Sequence, residues 1–110
     1  QPDIVKTGGF TGLGDMAALA RAYGVDLVPH QTQPSIGHTA NLHFVASLTH
    51  SHYPAEYNGP HGVQDVVFRT PVRPVKGKFF LSDAPGLGLE VDESELQKRI
   101  IPWTSSAATG

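Results

Sequence analysis

The first thirty residues constrain the fold more tightly than any other stretch. Residues 3–6 include β-branched Ile4 and Val5, which favour an extended chain. Gly8 and Gly9 follow, then an amphipathic run to Gly24, then the apolar segment Val25-Asp26-Leu27-Val28 closed by Pro29 and His30. This order predicts strand, helix, strand. Parallel strands joined by one crossover helix lie side by side, and their carboxyl ends form the face on which α/β proteins build active sites. Asp3 lies on the first strand and His30 follows the second. The two are therefore a candidate proton-transfer pair.

Within the predicted helix, Leu13, Met16, Ala17, Ala20 and Tyr23 recur at helical spacing, and Met16 and Tyr23 are expected in the core. Thr11 is the expected N-cap, with Asp15 in the first turns. Gly24 stands where a helix-ending glycine belongs. Gly8-Gly9 serves equally a tight turn or the close approach of a ligand. Arg21 is expected in solvent. A second helix is predicted over residues 36–48, with a broad apolar face from Ile36, Ala40, Leu42, Val45, Ala46 and Leu48. His43 within that face reads as structural. His50 and His52 have a spacing that could bind metal, but no third ligand stands nearby, and the pair reads as a surface turn. Residues 55–58 form a short third strand in this reading, which brings Glu56 near another carboxyl end.

The pattern changes after Asn58. Strand-like residues 66–68 and 78–81 lie around a turn at Lys76-Gly77. The glycine-rich stretch 83–89 lacks both a following lysine and the strand-to-helix setting of a phosphate-binding loop. Asp92 with Glu95 predicts a capping box on a short helix. Residues 100–103 are expected to anchor that end, and residues 105–110 to fray.

Composition narrows the function classes. The 110 residues carry a net charge of -2, which gives no electrostatic case for a nucleic-acid or anionic-membrane partner. There is no cysteine, hence no disulfide framework and no thiolate chemistry, in keeping with a cytoplasmic setting. No apolar run approaches the roughly 20 residues of a spanning helix. A lone parallel strand-helix-strand unit leaves both sheet edges unpaired and one face bare. The chain is therefore expected to be the C-terminal part of a longer protein.

Asp3, His30 and Glu56 each fall at or near the end of a successive predicted strand. An imidazole takes and returns a proton near neutral pH, and a carboxylate on its far nitrogen fixes the tautomer. A further carboxyl can hold a polar substrate group. In the alternative reading, Asp3 pairs with a backbone amide and His30 caps a loop. The spacing leaves both open.

The same residues resemble a known family. Asp3 followed by Gly8-Gly9, the helix end Leu19-Ala20-Arg21-Ala22-Tyr23-Gly24, His30, Ala40-Asn41-Leu42-His43, Glu56 and Asp83-Ala84-Pro85-Gly86-Leu87-Gly88 are similar, in this order, to the C-terminal part of mandelate racemase/muconate lactonizing enzymes of the enolase superfamily. The resemblance implies an α/β fold, the C-terminal portion of a modified TIM barrel, (β/α)7β. Residues 1–58 would supply the last three strands with two intervening helices, and residues 59–110 the segment returning toward a capping domain. It implies a Mg2+-dependent enzyme that abstracts the proton alpha to a carboxylate. His30 would be the general acid/base, Asp3 its hydrogen-bond partner, and Glu56 the group that binds the substrate carboxylate. The Mg2+ ligands and a lysine base belong to earlier strands, so this chain alone is expected to be inactive. A sugar-acid dehydratase is the expected activity, with a homo-oligomer as the expected assembly. The alternatives are a racemase or epimerase of a 2-hydroxy acid and a non-catalytic interaction module.

Overall fold

The computed structural model describes residues 1–49, 51–60 and 62–101. His50 of the histidine pair, His61, Trp103 and the expected frayed end lie outside the described residues. Two helices dominate: α1, Gly9–Ala22, and α2, Ser35–Ser47. A 3-10 turn at Gly62–Gln64 and a short helix α3, Glu93–Gln97, follow. Among the described residues no helix is long and apolar enough to cross a membrane.

The entry into α1 is set by Asp3. Its side chain accepts from the Val5 N–H at 2.8 Å. Its carbonyl accepts from the N–H groups of Lys6 and Thr7, both at 3.0 Å, and from the Thr7 hydroxyl at 2.8 Å. Such local bonding gives the backbone an alternative to a strand ladder. The strand expected over residues 3–6 is accordingly a turn that wraps around Asp3. Gly8, in the left-handed region at φ 89°, then stands as the N-cap of α1. Thr11, the expected cap, lies inside the helix.

The end of α1 follows the sequence. Gly24 has φ 65°, its N–H donates to Arg21 O, and the Val25 N–H donates to Ala20 O at 2.9 Å. This is the paired closure of a Schellman motif. Leu13, Ala17 and Ala20 form the inward stripe of α1, packing with Ile4, Leu27 and Phe44. Met16 and Tyr23 are 42% and 78% exposed, against expectation. The apolar residues of α1 occupy two adjacent stripes, and the small residues Ala17 and Ala20 let the first approach the core closely.

α2 departs further. Its buried residues are Ser35, His38, Thr39, Asn41, Leu42 and Phe44, while Ile36 is 58% exposed. The expected broad apolar face is thus mostly polar on its inner side. His43 is structural as expected, with Nε2 3.3 Å from Leu87 O.

The segments around Val25–Val28 and Glu56 contain no assigned strand among the described residues. One backbone bond joins the Asp3 turn to the end of the Val25–Val28 segment, the His30 N–H donating to Pro2 O at 3.0 Å. A ladder needs a run of such links, and extended propensity in one segment does not supply its neighbour. Downstream, single antiparallel bridges join Phe68 to Val91 and Val75 to Lys78. The second closes the expected Lys76-Gly77 turn, both residues at positive φ (50° and 75°), the geometry of a primed hairpin turn. Asp92 caps α3 through Ser94 N and Glu95 N at 3.0 and 3.1 Å. The return half of a capping box is not formed, because the Asp92 N–H donates to Val67 O at 2.8 Å.

Candidate active site

Three chain segments meet at the site: the turn around Asp3, the stretch from His30 to Gln33, and the stretch from Glu56 to Asn58. The backbone link from His30 to Pro2 sets the first beside the second. Side chains, rather than backbone, join the second to the third. Glu56 Oε2 lies 2.8 Å from His30 Nδ1 and accepts from the Gln31 N–H at 2.7 Å. Asn58 Nδ2 donates to Gln31 O at 2.8 Å and to Glu56 Oε1 at 3.1 Å. His30 and Glu56 side chains are each about one-third exposed, so the pair is open to a ligand from solvent. No described residue occupies His30 Nε2.

Asp3 is buried, at 5% exposure. Its second oxygen accepts from Gln33 Nε2 at 3.3 Å and lies 3.7 Å from Lys6 Nζ. The expected hydrogen bond from Asp3 to His30 is therefore not made here. His30 takes its carboxylate partner from Glu56, and Asp3 is held by its own turn and by Gln33. Gln33 is in turn tied by Gln31, whose Nε2 donates to Gln33 O.

The two carboxylates owe their acidity to different neighbours. The Gln31 N–H holds Glu56 below the ordinary glutamate value, outweighing partial burial, with help from Asn58 and His30. Burial pushes Asp3 upward, but the Val5 N–H, Gln33 and Lys6 together outweigh it and leave Asp3 below its ordinary value. Both are anions at neutral pH.

Residue type alone did not reveal Gln31, Gln33 and Asn58 as parts of this network; their position beside His30 and Glu56 was the available signal. Asp65 was also missed. It is 3% exposed, is bridged by Arg73, and accepts from the Ser35 hydroxyl at the start of α2. It ties the downstream segment to the first residue of α2. Farther along α2, Thr39 and Asn41 are buried, and their side-chain polar atoms find no partner among the described residues. His38 packs against the rings of Tyr57 and Phe79, each 5.1 Å away between centroids.

The described residues hold no group of three or more His, Cys, Asp or Glu side chains able to bind a metal ion. The Mg2+ ligands that the resemblance implies belong to earlier strands, and Asp3, His30 and Glu56 are not among them.

A family model for enolase C-terminal domain-like proteins matches residues 1–95. The D-galactarolactone cycloisomerase of Agrobacterium fabrum is 31% identical over 110 residues, covering 93% of this chain and 29% of the relative. The D-galactonate dehydratase of Xanthomonas axonopodis pv. citri is 36% identical over 104 residues, covering 89% of this chain and 27% of the relative. A solved mandelate racemase/muconate lactonizing protein of Paracoccus denitrificans, complexed with magnesium, is 55% identical with a TM-score of 0.84, covering 90% of this chain and 27% of that one. The chain thus spans less than a third of the length of these relatives. It belongs to the enolase C-terminal domain-like family, with the fold of the C-terminal portion of a mandelate racemase/muconate lactonizing barrel.

Proposed function

We propose that the intact protein removes the proton alpha to the carboxylate of a sugar acid and expels the beta hydroxyl as water, with His30 as the proton-transfer group. The observation that carries this reading is the carboxylate on His30 Nδ1 at 2.8 Å. A carboxylate there holds the proton on Nδ1 and leaves the lone pair on Nε2, which is the base form of the ring. Nε2 accepts the alpha proton as the carbon acid becomes an enediolate. The same imidazolium then delivers that proton to the departing hydroxyl, which leaves as water. The step is redox-neutral and returns His30 to its starting state.

Enediolates need electrostatic stabilisation as they form. Magnesium, present in the Paracoccus denitrificans relative, would supply it from ligands on the earlier barrel strands that the family resemblance implies. Two carboxylates serve His30 in this reading. Glu56 contacts it in the structure described. The family resemblance assigns that role to Asp3, with Glu56 turned to the substrate carboxylate, and the adjacency of the Pro2 and His30 backbones supports a short path between them. A sugar-acid substrate is supported by the names of the dehydratase and cycloisomerase relatives.

The test uses the intact protein with a panel of sugar acids in deuterated water. A dehydratase yields a 2-keto-3-deoxy acid and one water per turnover. A racemase or epimerase exchanges the alpha hydrogen with no loss of water. A cycloisomerase, the reading that the Agrobacterium fabrum relative favours, conserves mass. His30→Asn is expected to abolish turnover and leave the circular dichroism unchanged. Wild-type turnover by that variant would overturn the assignment of His30.

A further inference from the structure

Asp3 is buried, and a buried carboxylate depends on the donors around it. Its two oxygens draw on different ones. Oδ1 takes the Val5 N–H at 2.8 Å, a bond inside its own turn. Oδ2 takes Gln33 Nε2 at 3.3 Å and has Lys6 Nζ at 3.7 Å. The Lys6 side chain is 70% exposed, so solvent screens that pair. Gln33 is the part-buried donor that comes from outside the turn. An ionised carboxylate only accepts, so Gln33 presents the NH2 end of its amide to Asp3. Gln33 is itself held in two ways. Its carbonyl accepts from Gln31 Nε2. Its side-chain stem lies over Gly37 of α2, where an added Cβ would stand 2.6 Å from Gln33 Cβ, 3.1 Å from its Cγ and 3.3 Å from Val5 Cγ2. The bare glycine provides the space that the stem fills.

We propose that Gln33, seated over Gly37, is a positioning residue that holds the Asp3 carboxylate at the angle from which Oδ2 receives His30 Nδ1–H during proton transfer. The inference rests on the proposed function and on the role that the family resemblance gives Asp3, the carboxylate partner of His30. It adds the residue that aims Asp3.

A carboxylate held through one oxygen alone turns about its terminal torsion, which is broad and soft. Val5 fixes one oxygen of Asp3, and Gln33 fixes the other. Each carboxylate oxygen has about two lone-pair sites, so Gln33 leaves Oδ2 able to accept a further N–H. The bond from the His30 N–H to Pro2 O keeps the His30 segment beside Asp3. In the family reading Glu56 turns to the substrate carboxylate, and His30 Nδ1, 2.8 Å from Glu56 Oε2 in the structure described, passes to Asp3. Asp3 has to remain an anion to receive it. Burial pushes its carboxyl upward, and the Val5 N–H, Gln33 and Lys6 outweigh that push. Among the described residues the charged group that acts on Asp3 is Lys6. Without the Gln33 amide, burial meets less opposition and Oδ2 is free to swing.

Gln33→Leu in the intact protein removes the amide and keeps a stem over Gly37. Carbon-13 NMR of the Asp3 carboxyl needs no substrate, and its titration midpoint is expected to rise. Gln33→Glu keeps the shape but sets an anion against Asp3, and should raise the midpoint further. Gly37→Ala keeps the amide and displaces it, because turning side-chain bonds does not move Gln33 Cβ out of the overlap; the midpoint should rise here too. Steady-state kinetics on the sugar acid that turns over best reports the consequence. A lost hydrogen bond to a charged group predicts roughly tenfold lower kcat for Gln33→Leu, with KM little changed. In an Asp3→Asn background the same substitution should cost less than about twofold, since the group it positions is already altered. An Asp3 midpoint unmoved in Gln33→Leu or in Gly37→Ala, or an equal loss of kcat in both backgrounds, would sink the proposal. Wild-type turnover by Asp3→Asn would remove the role of Asp3 and the proposal with it. If the wild-type protein turns over no sugar acid, the functional reading fails, yet the Asp3 midpoint still decides whether Gln33 holds the carboxylate.

Discussion

Gly12 and Gly14 stand two residues apart in α1, and replacing each by alanine is expected to shift stability in opposite directions. Alanine is the better helix former by about 1 kcal/mol, so propensity alone favours both changes. At Gly14 an added Cβ meets nothing within 4 Å, and the gain should be realised as about 0.5–1 kcal/mol. At Gly12 the Cβ would lie 1.8 Å from Thr7 O and 2.9 Å from Thr7 C. Those are backbone atoms, so no side-chain rotation relieves the overlap. The carbonyl would have to retreat by more than an ångström, yet Thr7 is tied to Asp3 O through both its N–H and its hydroxyl. Overpacking of this kind costs about 1–3 kcal/mol, which exceeds the propensity gain. Gly12→Ala should therefore destabilise by up to about 2 kcal/mol. Because the Asp3 turn takes the strain, activity should fall as well. Urea denaturation of the two variants of the intact protein, followed by circular dichroism, measures the difference. Equal midpoints, or a more stable Gly12→Ala, would refute the account of how α1 meets the Asp3 turn.

Two further outcomes follow from the buried and paired charges. Asp65→Asn removes the anion between Arg73 and Ser35; Arg73 is 38% exposed and can rehydrate, so the cost should sit at the low end for a broken buried pair, about 3 kcal/mol in chemical denaturation. Acid titration of Glu56 by carbon-13 NMR should give a midpoint below the ordinary glutamate value, since the Gln31 N–H, then Asn58 and His30, favour the anion. A depressed carboxylate contributes stability that is present above its unfolded pKa and lost as pH falls through the folded one. The His30–Glu56 contact should thus persist through mild acidification and fail only below the ordinary glutamate range. A midpoint at or above that range would show that Glu56 is not held as described.

Local sequence determined the pieces. The glycine at 24 closes α1 because only a residue free to adopt positive φ fits there. Asp92 caps α3 because its short side chain reaches two backbone N–H groups. Lys76-Gly77 turns the chain, and His43 finds a carbonyl. The family resemblance was legible from its motifs, and residue type and order singled out Asp3, His30 and Glu56 as candidates. Tertiary structure alone decided how these pieces face one another. The periodicity of α1 contained two apolar stripes, and packing against Ile4, Leu27 and Phe44 chose the one with Leu13, Ala17 and Ala20, leaving Met16 and Tyr23 outside. α2 turned polar residues inward, which no hydrophobic pattern predicts. Thr11 lost the cap to Gly8 because Asp3 had already bent the chain. Most of all, the partner of His30 is a matter of three-dimensional reach. On paper Asp3 was the expected partner of His30, and Glu56 the group for the substrate. The Gln31 N–H and Asn58 place Glu56 on the ring, while the Val5 N–H and Gln33 hold Asp3 in its own turn.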